Sequence, residues 1–237
     1  MSLSVPARVP PPPPSAVPLP RGFATREDLT GKHILVTAGP THEPIDPVRV
    51  IANRSSGRQG FAIAGAAAKA GARVTLVAGP VALETPPGVE RIDVETAEEM
   101  AEAVFAALPA DAAILVAAVA DWRVIPASAK LKKGEGPPKL DFVPTRDILA
   151  ELGTSRRRPR LLVGFAAETE NVVEQAIAKR VKKRADWIVA NDVSGDVMGG
   201  HRNRVHLITA AGVEDWPEAA KDEVARHLIA RIAQELG

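Results

Sequence analysis

From Lys32 onward, short apolar runs of strand length alternate with stretches of helical period. His33–Thr37 predicts a buried first strand, and Gly57–Ala70 a small-residue helix that Gly71 can end. Arg73–Ala78 predicts the second strand, after which Gly79-Pro80 breaks the chain and Thr85-Pro86-Pro87-Gly88 keeps it in a loop. A short strand is expected at Arg91–Val94. Thr96 and Glu99 have capping-box spacing and open a helix to about Ala107. Ala112–Ala118 is the third long strand, Arg146–Leu152 a short helix and Leu161–Phe165 the fourth strand. Thr169–Arg184 follows as a helix whose cations gather toward its C-terminus, where the helix dipole favours them. Trp187–Ala190 is the fifth strand. After a loop from Asn191 to Asn203, Val205–Thr209 and the turn at Ala210–Gly212 suggest a hairpin, and Ala219–Leu236 closes the chain as an amphipathic helix. This alternation predicts an α/β fold, a Rossmann-like three-layer sandwich with a mostly parallel sheet and helices on both faces.

Two stretches break the pattern. Met1 to about Arg21 is proline-rich, with a run from Pro10 to Pro14, and favours extended, polyproline-like structure that cannot build a core. Residues 1–30 are therefore expected to be a linker or disordered tail, or a ligand for a proline-recognition domain, and 31–237 the folded domain. Asp121–Asp141 is lysine- and glycine-rich around Lys130-Leu-Lys-Lys-Gly-Glu-Gly, with no apolar period to dock it. A mobile flap is expected there.

Composition narrows the function classes. Hydrophobic content of 46% and charged content of 25% over 237 residues are ordinary for a soluble globular chain. A net charge of +1 gives no reason to expect a nucleic-acid surface. The chain has no cysteine, which removes disulfides, thiolate metal sites and a cysteine nucleophile. The longest apolar run, Ala112–Ala120, is too short to span a bilayer, and no signal-peptide pattern opens the chain, so a cytoplasmic enzyme is expected. The five histidines show no metal-ligand spacing and no serine sits in a Gly-x-Ser-x-Gly elbow. Chemistry by positioning and electrostatics is favoured over covalent catalysis or a protein-held metal.

The most informative stretch joins the first strand to the first helix, Thr37 to Gly60. Ser55-Ser56-Gly57-Arg58-Gln59-Gly60 opens the helix, with hydroxyls and free amides suited to a phosphate. An ordinary serine N-cap is the alternative. Arg49 and Asn53 lie upstream in a loop stiffened by Pro44 and Pro47. Arginine offers a planar fork for phosphate or carboxylate, and an asparagine amide can stabilise a reacting carbonyl, although Asn53 also suits a simple turn. At the end of the third strand, Ala117-Ala118-Val119-Ala120-Asp121 stands where open α/β sheets bind ligands, with Asp121 able to meet a ribose or base, or to cap the next turn. Lys130, Lys132 and Lys133 form a solvated cluster or close over polyphosphate. Lys179 and Lys183 share one helix face, solvated or turned to polyphosphate.

Taken together, Thr37-Ala-Gly39-Pro-Thr…Glu-Pro-Ile-Asp-Pro-Val-Arg49…Asn53-x-Ser-Ser-Gly57-x-x-Gly60 closely resembles the hallmark of phosphopantothenate–cysteine ligase, also called phosphopantothenoylcysteine synthetase. Further matches follow in order: Ala117-Ala-Val-Ala-Asp121, Lys130-Leu-Lys-Lys, Val163-Gly-Phe-Ala-Ala-Glu-Thr169, Lys179-Arg-x-x-Lys183 and Ala190-Asn-Asp-Val193. The resemblance covers Lys32 to the C-terminus. It implies activation of the phosphopantothenate carboxylate by a nucleoside triphosphate with Mg2+, giving an acyl-nucleotide and pyrophosphate. The amine of L-cysteine then displaces the nucleoside monophosphate, a step of coenzyme A biosynthesis. Bacterial members use CTP and animal members ATP; the flap and the Lys-Arg-x-x-Lys block favour CTP here.

By position, the resemblance makes Asn53 and Lys130 catalytic and places Arg49, Ser55, Ser56, Gly57 and Gly60 at the acyl substrate and its phosphate. Gly39, Ala117, Ala118, Asp121, Lys130, Arg146, Asp147, Ile148, Phe165, Lys179 and Lys183 become nucleotide-binding. Many bacterial members carry proline at the Arg146 position. Met198–Asn203 keeps only part of the family's pattern and receives no role. The family is dimeric, and the segment between the flap and Phe142 is expected to contribute. Fusion to, or association with, a flavin-dependent decarboxylase is a further expectation. Two rival classes remain. An NAD(P)-binding oxidoreductase lacks support because no Gly-x-Gly-x-x-Gly follows the first strand and the chain has no tyrosine. A non-catalytic nucleotide-binding protein would not require both Asn53 and the lysine flap.

Overall fold

The first apolar run forms the centre of the molecule. His33–Ala38 (β1) is buried along its whole length, the environment of a strand covered on both faces. The computed structural model describes residues 28–134, 139–168, 170–192 and 202–237. The proline-rich tail, the flap tip, Thr169 and most of the loop before Asn203 lie outside the described residues.

After β1 come β2 (His42–Pro44), β3 (Val50–Ala52), α1 (Arg58–Lys69), β4 (Arg73–Ala78) and β5 (Val89–Asp93). The middle of the chain supplies α2 (Ala97–Ala106), β6 (Ala112–Leu115), β7 (Trp122–Val124), β8 (Phe142–Pro144) and α3 (Ile148–Thr154). The last third supplies β9 (Leu161–Glu168), α4 (Val172–Lys183), β10 (Trp187–Asp192), β11 (Arg202–Ile208), β12 (Val213–Ala220) and α5 (Lys221–Leu236).

The main sheet runs in the order β12-β11-β10-β9-β6-β1-β4-β5. Strands β5 through β10 in that order are parallel, and the β11–β12 hairpin extends the sheet antiparallel. One core cluster joins the sheet to α1 and α5, through residues such as Phe61, Ile63, Leu228 and Ile232. The opposite cluster joins it to α2, α3 and α4, through Met100, Val104, Leu152 and Ala176. These two clusters make the three-layer α/β sandwich expected from the alternation of runs. The core already includes Leu29, which is fully buried and whose N–H donates to Ala70 O at 2.8 Å.

Close approach of α1 to β1 depends on small residues. A Cβ on Gly60 would stand 2.5 Å from Ala38 Cβ and 3.1 Å from Thr37 O, so any larger residue must push the helix off the strand. The capping box of α2 forms as the spacing predicted, Thr96 accepting from Glu99 N and Glu99 reaching back to the Thr96 N–H.

Several boundaries move. The short helix begins at Ile148 because Asp147 is its N-cap, accepting from Ala150 N at 3.0 Å, so Arg146 lies before it. The helix expected from Thr169 begins at Val172, after Asn171 takes a left-handed φ of 49°. The loop after β1 folds into the β2–β3 hairpin, and the flap's two ends pair as the antiparallel ribbon β7–β8 with Val124 buried.

Candidate active site

On one side of β1 the main sheet continues with β4 and then β5, and on the other it runs back through β6 to β9, so the strand order reverses at β1. That reversal opens a crevice at the carboxyl ends of the strands, the place where open α/β sheets take ligands. A cleft of about 1090 Å³ occupies it, lined by the ends of β1, β6 and β9, the start of α1, the segment before α3, and one face of α4.

Side-chain hydroxyls build the floor. Thr37 Oγ1 accepts from Val116 N and Ala117 N, both at 3.2 Å, and Thr41 Oγ1 accepts from Ala120 N at 3.0 Å. Ala118 N donates to Gly39 O at 2.9 Å. From the other side, Thr145 N donates to Asp121 O at 3.0 Å. The segment Val116–Asp121 is therefore held by its backbone. Thr37, Thr41 and Thr145 carried no assignment from the sequence; they are part of what fixes the shape of the site.

Asn53 Nδ2 donates to Val119 O at 3.0 Å and more weakly to Ala118 O at 3.4 Å. With its donor committed to this strand end, the amide offers Oδ1 as the acceptor. The turn reading of Asn53 gives way to a side chain that spans from the end of β3 to the β6 loop. At the start of α1 the N-cap is Gly57 at φ 72°, with no side-chain cap. The N-cap is thus a glycine and not a serine, although Ser55 Oγ accepts from Gly57 N at 3.4 Å; Ser55 and Ser56 both line the cleft. Asp121 lines the cleft, exposed, and its carboxylate caps nothing among the described residues.

At the α3–α4 end Arg146, Asp147, Lys179 and Lys183 are engaged. Arg146 Nη1 donates to Glu98 at 2.9 Å and its Nε to Glu151 at 3.0 Å, with Phe105 beneath it at 5.7 Å. Those carboxylates raise its pKa still further above the ordinary arginine value. Asp147 pairs with Lys183. Burial pushes the Asp147 carboxyl up, but the bonds from Lys183 and Ala150 N outweigh it and hold it below the usual range. Lys179 Nζ donates to Phe165 O at 3.0 Å.

The cleft gathers every site residue named from the sequence except Arg49 and Lys130. Arg49 is held elsewhere: its Nη1 donates to Asp46 Oδ2 at 3.0 Å and to Leu131 O at 3.2 Å. Asp46 is 3% exposed, and its Oδ1 accepts from Val48 N and Arg49 N at 2.8 Å while Oδ2 accepts from Leu131 N at 3.1 Å. Burial acts to raise the Asp46 pKa, yet the amides of Val48, Leu131 and Arg49 and the Arg49 charge hold it below the usual value. This clasp ties the flap root, beside exposed Lys130, to the β2–β3 hairpin. Asp46→Asn keeps the turn bonds at Oδ1 but points an NH2 at Leu131 N and Arg49. Trypsin is therefore expected to cut at Lys130–Lys133 several-fold faster in this variant under native conditions; an unchanged cleavage rate would show that the clasp does not hold the flap.

The sequence reading also missed Arg58, Gln59, Lys182 and Lys221, all of which line the cleft. Arg58 and Gln59 stood at unassigned positions of the opening motif. Lys221 is more than a hundred residues away and carried no local signal.

Comparison with known proteins agrees with this architecture. Residues 29–236 match the family model described as the DNA/pantothenate metabolism flavoprotein C-terminal domain. The chain is 44% identical over 217 residues to the coenzyme A biosynthesis bifunctional protein CoaBC of Escherichia coli K12, across 89% of this chain and 53% of that protein. It thus spans about half the length of the curated relatives it matches. The crystal structure of the C-terminal domain of a CoaBC is 41% identical, covers 90% of this chain and 98% of its own, and superposes with a TM-score of 0.75. A Cab2 mutant solved with phosphopantothenate-cysteine shares the fold at 16% identity and a TM-score of 0.68, over 86% of this chain and 87% of its own. With its fold, its cleft and its opening motif in agreement, the chain belongs to the family of the DNA/pantothenate metabolism flavoprotein C-terminal domain, the family to which its resemblance to phosphopantothenate–cysteine ligase pointed.

Proposed function

We propose that the chain is a phosphopantothenate–cysteine ligase that uses CTP. One observation carries this reading: a single cleft of about 1090 Å³ holds both Asn53 with the open start of α1 and the β6, β9 and α4 positions expected to meet a nucleotide. Ligand pockets run from about 300 to 1,000 Å³, so this one stands at the large end of the range.

In the proposed reaction a carboxylate oxygen of phosphopantothenate attacks the α-phosphorus of CTP. The bond from that phosphorus to the β-phosphate oxygen breaks and pyrophosphate leaves. Next, the amine of cysteine attacks the acyl carbon, loses a proton, and CMP departs with the electrons of the acyl–oxygen bond. Two anions must meet in the first step, and holding them in line in a cationic cleft lowers that barrier. Magnesium is brought in on the triphosphate as part of the substrate and supplies charge neutralisation there. Asn53 Oδ1 is the acceptor available to the amine as it attacks. Lys130 reaches the triphosphate when the flap closes, which also keeps water from the acyl phosphate.

The preference for CTP over ATP rests on the flap and the Lys179-Arg-x-x-Lys183 block. The test is product formation: phosphopantothenate, cysteine, Mg2+ and either CTP or ATP, with the amide product followed by mass. Cysteine-dependent product with CTP is the expected result. Product only with ATP would correct the nucleotide, and nucleotide binding without product would favour the non-catalytic class.

A homodimer is part of the proposal. The β2–β3 and β7–β8 ribbons pack together through β2 and β7 and expose Val48, Val50, Trp122, Ile125 and Phe142. Such an apolar group on adjoining ribbons suits a self-complementary contact. Phe142→Glu is expected to shift sedimentation from dimer to monomer; a monomeric wild-type chain would remove the dimer.

A further inference from the structure

The β2–β3 hairpin carries two carboxyl side chains that are almost wholly buried, Glu43 at 2% exposure and Asp46 at 3%. Asp46 ties the hairpin to the flap root. Glu43 makes a different tie. Its Oε1 accepts from the N–H of Ala97, the first residue of α2, at 2.8 Å. Beside it, His42 N donates to Glu95 O at 2.7 Å, so the hairpin is bonded to the segment that opens α2.

The helix has its own means of starting. Thr96 and Glu99 complete a capping box, and Glu99 Oε2 also accepts from Glu95 N at 2.7 Å. A carboxyl group brought from 54 positions away loses its hydration on burial, and one amide bond at a helix start is a small return on that cost. What the bond does fix is the place of the hairpin.

That place matters at Asn53. Across the hairpin Glu43 pairs with Ile51, and His42 with Ala52, the residue before Asn53. Toward the cleft, Thr41 Oγ1 accepts from Ala120 N and Asn53 Nδ2 donates to Val119 O, both at 3.0 Å. Residues 41–53 are therefore held on two sides. His42 and Glu43 bond to the start of α2, and Thr41 and Asn53 bond to the segment that follows β6.

We propose that Glu43 is a positioning residue for Asn53. Its bond to α2 sets how the hairpin stands against the Val116–Asp121 segment, and so where Asn53 Oδ1 meets the attacking amine. The inference rests on the ligase reading for the step it serves, which is amide formation rather than binding of the two anionic substrates.

Variants of the full chain test this. Glu43→Ala is expected to slow amide formation about ten-fold, the scale of a small misplacement at a reacting centre. The KM values for phosphopantothenate and CTP, and pyrophosphate release before cysteine, should stay within about two-fold of wild type. Glu43→Gln keeps an acceptor oxygen and should recover most of the rate. Should Glu43→Ala not fold, Glu43→Asp, which withdraws the carboxyl by one methylene, carries the same expectation. Glu99→Ala is the control, because exposed Glu99 caps the same helix end without touching the hairpin. It should lower Tm and leave amide formation unchanged. In the double variant, Glu43→Ala should add nothing to the loss caused by Asn53→Ala, since one residue acts through the other. An unchanged rate in Glu43→Ala, an equal loss in Glu99→Ala, or additive losses in the double variant would overturn the proposal. Hydrogen exchange over residues 42–54 reads the tie without turnover. It should quicken about ten-fold in Glu43→Ala and not in Glu99→Ala. That result in a chain that makes no product would support the tie while the ligase reading failed; equal exchange in both variants would sink the tie itself.

Discussion

Asn53→Ala is expected to make the acyl-nucleotide and fail to pass it on. The variant loses the Nδ2 bond to Val119 O and, with it, Oδ1, the acceptor that the proposed mechanism offers to the attacking amine. Removing one positioned polar contact from a reacting centre typically costs 10²- to 10³-fold, so amide formation should fall by about that factor. Pyrophosphate release before cysteine is added should stay within a few-fold of wild type, because the carboxylate and α-phosphorus meet without Asn53. Quenched samples should then contain acyl-nucleotide detectable by mass. Normal turnover in this variant would remove Asn53 from the mechanism.

Lys130→Gln should act on the opposite half of the reaction. Lys130 is exposed on the flap root, outside the cleft lining, with its neighbour Leu131 held by Asp46 and Arg49. In the proposed mechanism its charge meets the triphosphate on closure of the flap, so removing it should slow pyrophosphate release by about 10²-fold while leaving binding of cysteine unchanged. The pairing of the two variants is informative. One should block after pyrophosphate leaves and the other before it. A Lys130→Gln enzyme that releases pyrophosphate at the wild-type rate makes the flap lysine a bystander.

The sheet was legible in the sequence because parallel strands buried on both faces read as unbroken apolar runs. His33–Thr37 and Arg73–Ala78 did so, and β1 and β4 are buried nearly throughout. The two ribbons were not legible. Each of their strands has three residues, and Pro44 and Pro144 sit in them, so no period of two could develop. Much of the candidate site was visible because the motif from Thr37 to Gly60 is continuous and the cleft takes Thr37, Gly39 and the whole run from Asn53 to Gly60 from it. Arg49 shows the limit of that reading. Residue type suggested a fork for a substrate anion, but the nearest anion in the fold is the carboxylate of Asp46, three residues away. Lys221 shows the other limit. Its place in the cleft is created by packing α5 on α1, and no local pattern could announce it.

The central claim is that one cleft first joins a carboxylate to a nucleotide and only then admits the amine. Pyrophosphate release in the absence of cysteine tests it most directly. Purified chain supplied with phosphopantothenate, Mg2+ and CTP, and no cysteine, should release about one pyrophosphate per active site and then stall until cysteine is added. No pyrophosphate with any nucleoside triphosphate, before or after cysteine, would contradict the account.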